Sequence, residues 1–375
     1  MKEVGFVQGA VFAVAAVAVA FIPACGSPAP YEGYPAVEFD AVTADRSGGL
    51  YVAGQLSGHG TFLGQEVHAN FTRSPFILRL DASGKRRWLK LLPTGEGGNQ
   101  LSTPIDAAGT GDGVVVFGAG AAATRYDGEG KVITTVGFLE DQNLLLMIRP
   151  LGAVTSDGAI AVMLDDAMYL TRIDAAGSPA WSTPAASPAP SRLVPDLTGG
   201  VWALDQSGGV TRIDALGAHV VVAKSPVFGN GFAAGVAVRD AAGNEQLLVA
   251  SPTWGTLAFD GAGHPLWSHE GDTADALAAD GAGAVIRVVW RAVEKVVWAT
   301  WMDAAGAQLG RATYPVSLPA GGKVRLMATG TASGALIGGE IDVTDATGMT
   351  EPYNLHFLLS AQSSDHSLTA LPWED

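Results

Sequence analysis

Phe76-Ile77-Leu78-Arg79-Leu80-Asp81-Ala82-Ser83-Gly84 is a mainly apolar run that stops at the sequence Asp-x-x-Gly. Aspartate at the first position of such a turn can accept a hydrogen bond from the backbone two residues on. Glycine at the fourth position tolerates the positive φ at which a hairpin closes. The signature returns at Asp127 to Gly130, Asp174 to Gly177, Asp214 to Gly217, Asp260 to Gly263 and Asp303 to Gly306. The residue before each aspartate is apolar: Leu80, Tyr126, Ile173, Ile213, Phe259 and Met302. Successive aspartates are 46, 47, 40, 46 and 43 residues apart, a mean of about 44 that suits a unit of four short strands. A helical solenoid of that period would carry long 3.6-residue patterns, and none is evident.

Working outward, a second turn precedes each of these and occurs once more after the last: Asp45 to Gly49, Gly111 to Gly113, Ser156 to Gly158, Thr198 to Gly200, Ala242 to Asn244, Asp280 to Gly283 and Ala332 to Gly334. The strand before this turn is built of small residues, as in Ala41-Val42-Thr43-Ala44 and Ala278-Ala279. The strand after it is apolar, as in Leu50-Tyr51-Val52-Ala53. Small residues suit innermost strands, where units converge on an axis. The expected fold is therefore all-β: a single β-propeller of seven four-stranded blades. Six blades is the alternative, should the first unit, with its insertion around Gly58 to Ser74, or the weak last unit, Arg325 to Asp375, fail to complete a blade. In that last unit Ser360 to Ser364 stands where the Asp-x-x-Gly turn is expected.

Two other side-chain types keep time with the repeat. Trp88, Trp181 and Trp267 each lie four residues past a turn glycine, a repetition expected of buried packing between blades. Stacking platforms for carbohydrate are the competing use. Arg79, Arg125, Arg172 and Arg212 each stand two residues before the turn aspartate, and the series breaks at Ala258 and Trp301. They read as a structural position, pairing with a turn carboxylate or facing solvent, in preference to a ring of guanidinium groups around an anionic ligand.

The unit from Ala41 to Leu91, above all Ala44 to Gly54 and Phe76 to Gly84, resembles the bacterial β-propeller repeat proteins, and the Gly-x-x-x-Trp spacing is similar to that of quinoprotein-like propellers. The resemblance implies a propeller over about 330 residues and carries over no catalytic residue. Many quinoprotein alcohol dehydrogenases stack their cofactor on adjacent cysteines. Cys25 is the only cysteine here, which excludes that variant.

At the N terminus an unbroken apolar run, Ala10 to Ile22, leads into Ile22-Pro23-Ala24-Cys25-Gly26. Thirteen apolar residues are too few to span a bilayer comfortably. The end resembles a bacterial lipoprotein signal, with a branched aliphatic residue three before the cysteine and a small residue directly before it. That resemblance implies cleavage before Cys25 and lipid on its thiol. The chain then divides into a signal (1–24), a tether (25–36) and a propeller (37–375). A lone cysteine cannot close an intrachain disulfide, in keeping with a use at the cleavage site. The alternative is an uncleaved anchor from Gly5 to Ala24. Gly26 and Ser27 lack the aspartate that retains many lipoproteins at the inner membrane, so the expected address is the outer membrane or cell surface.

Charge and composition bound the function. Lys and Arg number 22 against 37 Asp and Glu, a net charge of −15, which argues against a nucleic-acid partner. With 48% hydrophobic and 16% charged residues the chain can bury a large core. Val114 to Phe117 followed by Gly118 to Ala123, with Glu140 downstream, imitates a dinucleotide fingerprint, but the Asp127 turn leaves no room for its helix. His264 and His269 flank a strand without a metal spacing, and no His-Glu-x-x-His or Gly-x-Ser-x-Gly occurs. Glu340, Asp342, Asp345 and Glu351 lack the glycine of an EF-hand and read as a solvated acidic loop. The chain is thus expected to be a monomeric, membrane-tethered binding or scaffold module for a protein or cell-envelope glycan, with no cofactor, metal or catalytic residue assigned. A propeller enzyme, a quinoprotein-like dehydrogenase or a lyase, is the alternative.

Overall fold

The computed structural model describes residues 32–33, 35–92, 106–117, 122–137, 150–164, 169–184, 190–205, 207–224, 232–251, 253–318, 323–342 and 355–372. Among them the chain forms 29 strands and no helix. After a short β1 (Glu32–Gly33), blade 1 contains β2 (Ala36–Ala44), β3 (Leu50–Phe62), β4 (Gln65–Leu80) and β5 (Arg86–Leu91). Blade 2 has β6 (Asp106–Gly109), β7 (Gly113–Phe117), β8 (Ala122–Asp127) and β9 (Val132–Gly137); blade 3 has β10 (Pro150–Val154), β11 (Ile160–Leu164), β12 (Tyr169–Ile173) and β13 (Pro179–Pro184). Blade 4 has β14 (Pro190–Pro195), β15 (Val201–Asp205), β16 (Gly209–Ile213) and β17 (His219–Lys224); blade 5 has β18 (Ala234–Arg239), β19 (Glu245–Ala250), β20 (Gly255–Asp260) and β21 (Pro265–Glu270). Blade 6 runs β22 (Ala276–Ala279), β23 (Val285–Arg291), β24 (Val296–Met302) and β25 (Gln308–Pro315), and blade 7 runs β26 (Lys323–Thr331), β27 (Gly334–Asp342), β28 (Leu355–Gln362) and β29 (Ser367–Ala370).

In every blade consecutive strands pair antiparallel in chain order. The first strands touch in a closed cycle, β2–β6–β10–β14–β18–β22–β26 and back to β2. This is a seven-bladed β-propeller.

Burial follows radius. Second strands are sandwiched on both faces and read as unbroken apolar runs, such as Gly113–Phe117, wholly buried. Fourth strands alternate between half-buried and exposed, as in Pro179–Pro184. Near the axis small residues are obligatory: a Cβ on Gly109 would collide with the Ala44 carbonyl, and one on Gly330 with the Ala279 carbonyl. The core is divided into seven clusters, one in each wedge between neighbouring blades.

The ring closes without strand exchange, since blade 1 draws β2 to β5 from one end of the described chain and blade 7 draws β26 to β29 from the other. Side chains close the wedge instead. Arg325 of blade 7 donates to the Phe39 carbonyl of blade 1 and pairs with buried Glu340. The His356 ring stacks 4.2 Å from that of Phe39. The Gly58–Ser74 insertion is the outer half of the β3–β4 hairpin, bent at a register shift between Leu56 and Gly58. It places Phe62 and Val67 in the same wedge, with Phe62 5.3 Å from Phe76. Within the stretch read as tether, Glu32 and Gly33 pair in parallel with His59 and Gly60 of that hairpin. The last unit completes a blade, but its outer turn falls at Ser363 to His366, beyond the Ser360–Gln362 end of β28.

Candidate functional site

In an antiparallel four-stranded blade, the turn after the first strand and the turn after the third lie at the same end, so both turn sets share one face of the ring. They also share one geometry. Asp81 N–H donates to the Lys85 carbonyl at 2.9 Å, Gly84 N–H donates to the Asp81 carbonyl at 2.9 Å, and Gly84 has φ of +87°. The Asp81 carboxylate accepts from the N–H groups of Ser83 at 3.0 Å and Lys85 at 3.1 Å. The inner turn at Asp240 repeats this with Ala242 at 2.9 Å and Asn244 at 2.8 Å. Both aspartates therefore cap the backbone two and four residues on, one bond more than the sequence suggested, whereas Asp303 and Asp45 cap only the amide four residues on. The Ser83 hydroxyl and these amides hold Asp81 below the ordinary carboxylate range, and the Asn244 side chain and amide do the same for Asp240. Such carboxylates are ionised and committed to turns, which disqualifies them as general acids near neutral pH.

The arginine series divides. Arg79 on β4, Arg172 on β12 and Arg212 on β16 each meet a carboxylate from the first turn of their own blade: Asp45 at 3.7 Å, Asp157, and Asp196 at 3.0 Å. Each also donates to a carbonyl in the outer turn of the next blade, that of Gly128, of Ala215 at 3.3 Å, and of Gly261 at 3.1 Å. Burial tends to raise the Asp157 pKa, but hydrogen bonds from Thr155 and Arg172 outweigh it and hold the group below its usual value. At these three positions the arginine is a blade-to-blade staple.

Trp88 and Trp181 stand opposite Arg79 and Arg172 in the sheet register. Their indole N–H groups donate to the same Gly128 and Ala215 carbonyls, both at 2.9 Å. Trp267 does likewise to Ala304 at 2.9 Å. The tryptophans thus tie blades 1, 3 and 5 to blades 2, 4 and 6. They are partly buried, where full burial was expected, because the outermost strand covers only one side of each ring. Blade 6 uses Trp301 instead, fully buried on β24, which donates to the Ser363 hydroxyl at 3.1 Å.

Arg125 on β8 is the exception. The first turn of blade 2 closes from Thr110 N–H to the Gly113 carbonyl at 2.8 Å, one residue sooner than in blades 1, 3, 4, 5 and 6 and in the same register as Thr331 and Gly334 of blade 7, and Thr110 occupies the place of Asp45 and Asp196. In blade 3 that place is also a threonine, Thr155, but Asp157 supplies the carboxylate. The Arg125 side chain makes no hydrogen bond or ion pair among the described residues. Its buried Nε and the buried Thr110 hydroxyl both lack partners. Both residues line a basin of about 670 Å³ on the ring axis, formed by the first turns of blades 1, 2, 3, 6 and 7. Arg46 also lines it and reaches from blade 1 to the Ser156 carbonyl of blade 3 at 3.1 Å.

Other residues singled out from the sequence scatter. Cys25, Asp345, Glu351, Glu140 and Gly118 to Gly120 lie outside the described residues. Val114–Phe117 and Ala122–Asp127 are consecutive strands of blade 2, so the nucleotide fingerprint has no helix. Glu340 is no solvated loop residue: it is 2% exposed on β27 and paired with Arg325, because its strand faces the closing wedge. His264 sits in an exposed turn 3.1 Å from Asp260, whereas His269 lies edge-on to Trp267 at 5.0 Å. Among the described residues no cluster of His, Cys, Asp or Glu is placed to hold a metal. Sequence reading missed the basin, and the only signal for it was the short Gly111-Asp112-Gly113 turn.

No protein-family model matches the chain, and no curated protein matches it in sequence. Solved structures do resemble it. A catalytically inactive variant of virginiamycin B lyase from Staphylococcus aureus, with quinupristin, aligns at a TM-score of 0.56 and 12% identity over 86% of this chain and 95% of that one. The selenomethionine form of that lyase aligns at 0.52 and 10% identity over 85% and 94%. BamB from Moraxella catarrhalis aligns at 0.44 and 15% identity over 85% of each chain. The likeness to the lyase is one of fold alone and transfers no residue or reaction.

Proposed function

We propose that this chain is a lipid-tethered propeller of the bacterial cell envelope that acts as a non-enzymatic binding module. The axial basin carries the binding reading. It is a preformed concavity in a ring whose turn carboxylates are committed to caps and staples, yet it is lined by a guanidinium and a hydroxyl left without partners. Rigid walls with a few unspent polar groups are the usual make-up of a ligand site. The tether reading rests on Ile22-Pro23-Ala24-Cys25 and on Cys25 being the sole cysteine. No helix of the described residues is long and apolar enough to cross a membrane. The partner would be a protein or an envelope glycan, the propeller a monomer, and the address the outer membrane or cell surface.

Mass spectrometry of the N terminus of protein extracted from membranes tests the tether: acylated Cys25 as first residue is the expected result, and intact Met1 overturns it. Cross-linked capture from intact cells tests the module. Recovery of a stoichiometric partner or glycan supports it, whereas bound quinone or metal in the purified chain, by absorbance or elemental analysis, would replace it with the enzyme alternative.

A further inference from the structure

The geometry points to Arg125 as the anchor of an oxyanion site in the axial basin, a site for a small molecule bearing carboxylate or phosphate. This deepens the binding-module reading and rests on it. The chain itself supplies the control. Arg79, Arg172 and Arg212 occupy the same repeat position, and each is neutralised by a turn carboxylate and held by a carbonyl of the next blade. At Arg125 the turn has lost a residue and threonine stands in the aspartate's place, so the guanidinium keeps its charge without either partner. Buried Nε atoms without partners occur at Arg79 and Arg172 too, but those arginines bond through their terminal nitrogens, whereas Arg125 makes no bond among the described residues, an unfavourable state for a part-buried guanidinium unless something bonds it. Loss of a stabilising pair at one copy of a repeat, next to a cavity, is the pattern expected of a site kept for a ligand.

The surroundings fit an anion. Three carboxylates line the same basin: Asp45 and Asp157 are already paired with Arg79 and Arg172, and Asp280 is taken up in capping the Ala282 and Ala284 amides at 2.9 and 2.8 Å. Arg46 brings a second guanidinium across the short turn of blade 2, and Thr110 adds a hydroxyl. A fork of N–H donors beside a hydroxyl suits a planar carboxylate or a tetrahedral phosphate. The net charge of −15 repels anions at long range, so binding should be strongest when short-range bonds dominate, for compact ligands at moderate salt.

The experiment uses the full chain in detergent, with citrate and inorganic phosphate as probes, followed by calorimetric titration. Saturable binding of one or both is expected, and the stronger probe shows whether carboxylate or phosphate is the better fit. Arg125→Gln should weaken it by at least about tenfold. Arg239→Gln removes the same charge from blade 5, outside the basin, and should leave affinity unchanged. Thr110→Asp restores the carboxylate that blades 1 and 4 carry, and should abolish binding by occupying Arg125 from within. Absence of saturable binding by either probe, or equal binding by the Arg125→Gln and wild-type chains, overturns the site. The two levels fail separately: a chain that captures its partner in cells but ignores both probes refutes the oxyanion site alone, while one that binds citrate or phosphate yet recovers no partner leaves the site standing and refutes the wider module.

Discussion

Trp181→Ala is the most direct test of how the ring holds together. It removes a partly buried indole, its hydrogen bond to the Ala215 carbonyl at 2.9 Å, and its contact with Gly217, where an added Cβ would stand 2.9 Å from the ring. Truncating a fully buried tryptophan costs about 3–5 kcal/mol, and incomplete burial lowers the packing share here to about 2 kcal/mol. The lost hydrogen bond adds about 0.5 kcal/mol and not more, because Arg172 still donates to the same carbonyl. Spread over the unfolding entropy of roughly 340 residues, a total near 2.5 kcal/mol lowers Tm by about 3–4 °C. Scanning calorimetry of Trp181→Ala, Arg172→Ala and the double variant measures it. The double variant strips Ala215 of both donors and should lose about 0.5–1 kcal/mol more than the two single losses together. An unchanged Tm for Trp181→Ala with strictly additive losses would refute the staple. If tryptophan emission were also red, quenched by iodide and shifted by polysaccharide, the indoles would be glycan platforms.

Gly217→Ala and Gly243→Ala impose the same positive φ of +86° on alanine, but only at Gly217 does the new methyl meet the indole. Each should lose about 1 kcal/mol to backbone strain, and Gly217→Ala measurably more by denaturant titration; equal losses would mean Trp181 yields freely. For Glu340, burial raises the pKa, yet His356 and Arg325 outweigh it and hold the carboxyl below its ordinary value. A depressed folded pKa gives stability that is complete above the unfolded pKa of about 4.3 and is lost as pH falls through the folded one. Glu340→Gln should therefore lower Tm at pH 7 and converge with the wild type as pH falls through the folded pKa of the carboxyl, and a pH-independent offset would count against the ion pair.

Much of the fold was legible because propeller blades repeat local chemistry. The Asp-x-x-Gly turns, the small inner strands and the apolar second strands are all set within five or six residues of chain, so period and register appear in the sequence. Blade number followed from the inner turns even where the outer turn of blade 7 departs from the pattern. What was not legible depends on contacts between blades. Arg79 meets Gly128 across 49 residues and Trp181 meets Ala215 across 34, and no periodicity states which carbonyl faces which donor. Glu340 was misread for a related reason, since it sits directly opposite Arg325 on the neighbouring strand of blade 7, and the Phe39 carbonyl of blade 1 that completes the closure is 286 residues from Arg325.

The repeat nonetheless contains more than its average. A position that recurs as arginine reads as structural only while its carboxylate recurs with it, and that carboxylate comes from a different turn, 34 residues upstream for Arg79 and 16 for Arg212. In blade 2 the turn is a residue short, its first position is threonine, and Asp112, two residues on where blade 3 has Asp157, makes no ion pair with Arg125, so the position changes role although the arginine is unchanged. Three paired copies fix what a stabilising guanidinium looks like here: a carboxylate on one side, a neighbouring carbonyl on the other. The fourth copy has neither and borders the axial basin. Stability alone would favour aspartate at Thr110, so its absence at the blade where an unpaired guanidinium reaches the basin is better explained by what enters the basin than by the packing of the ring.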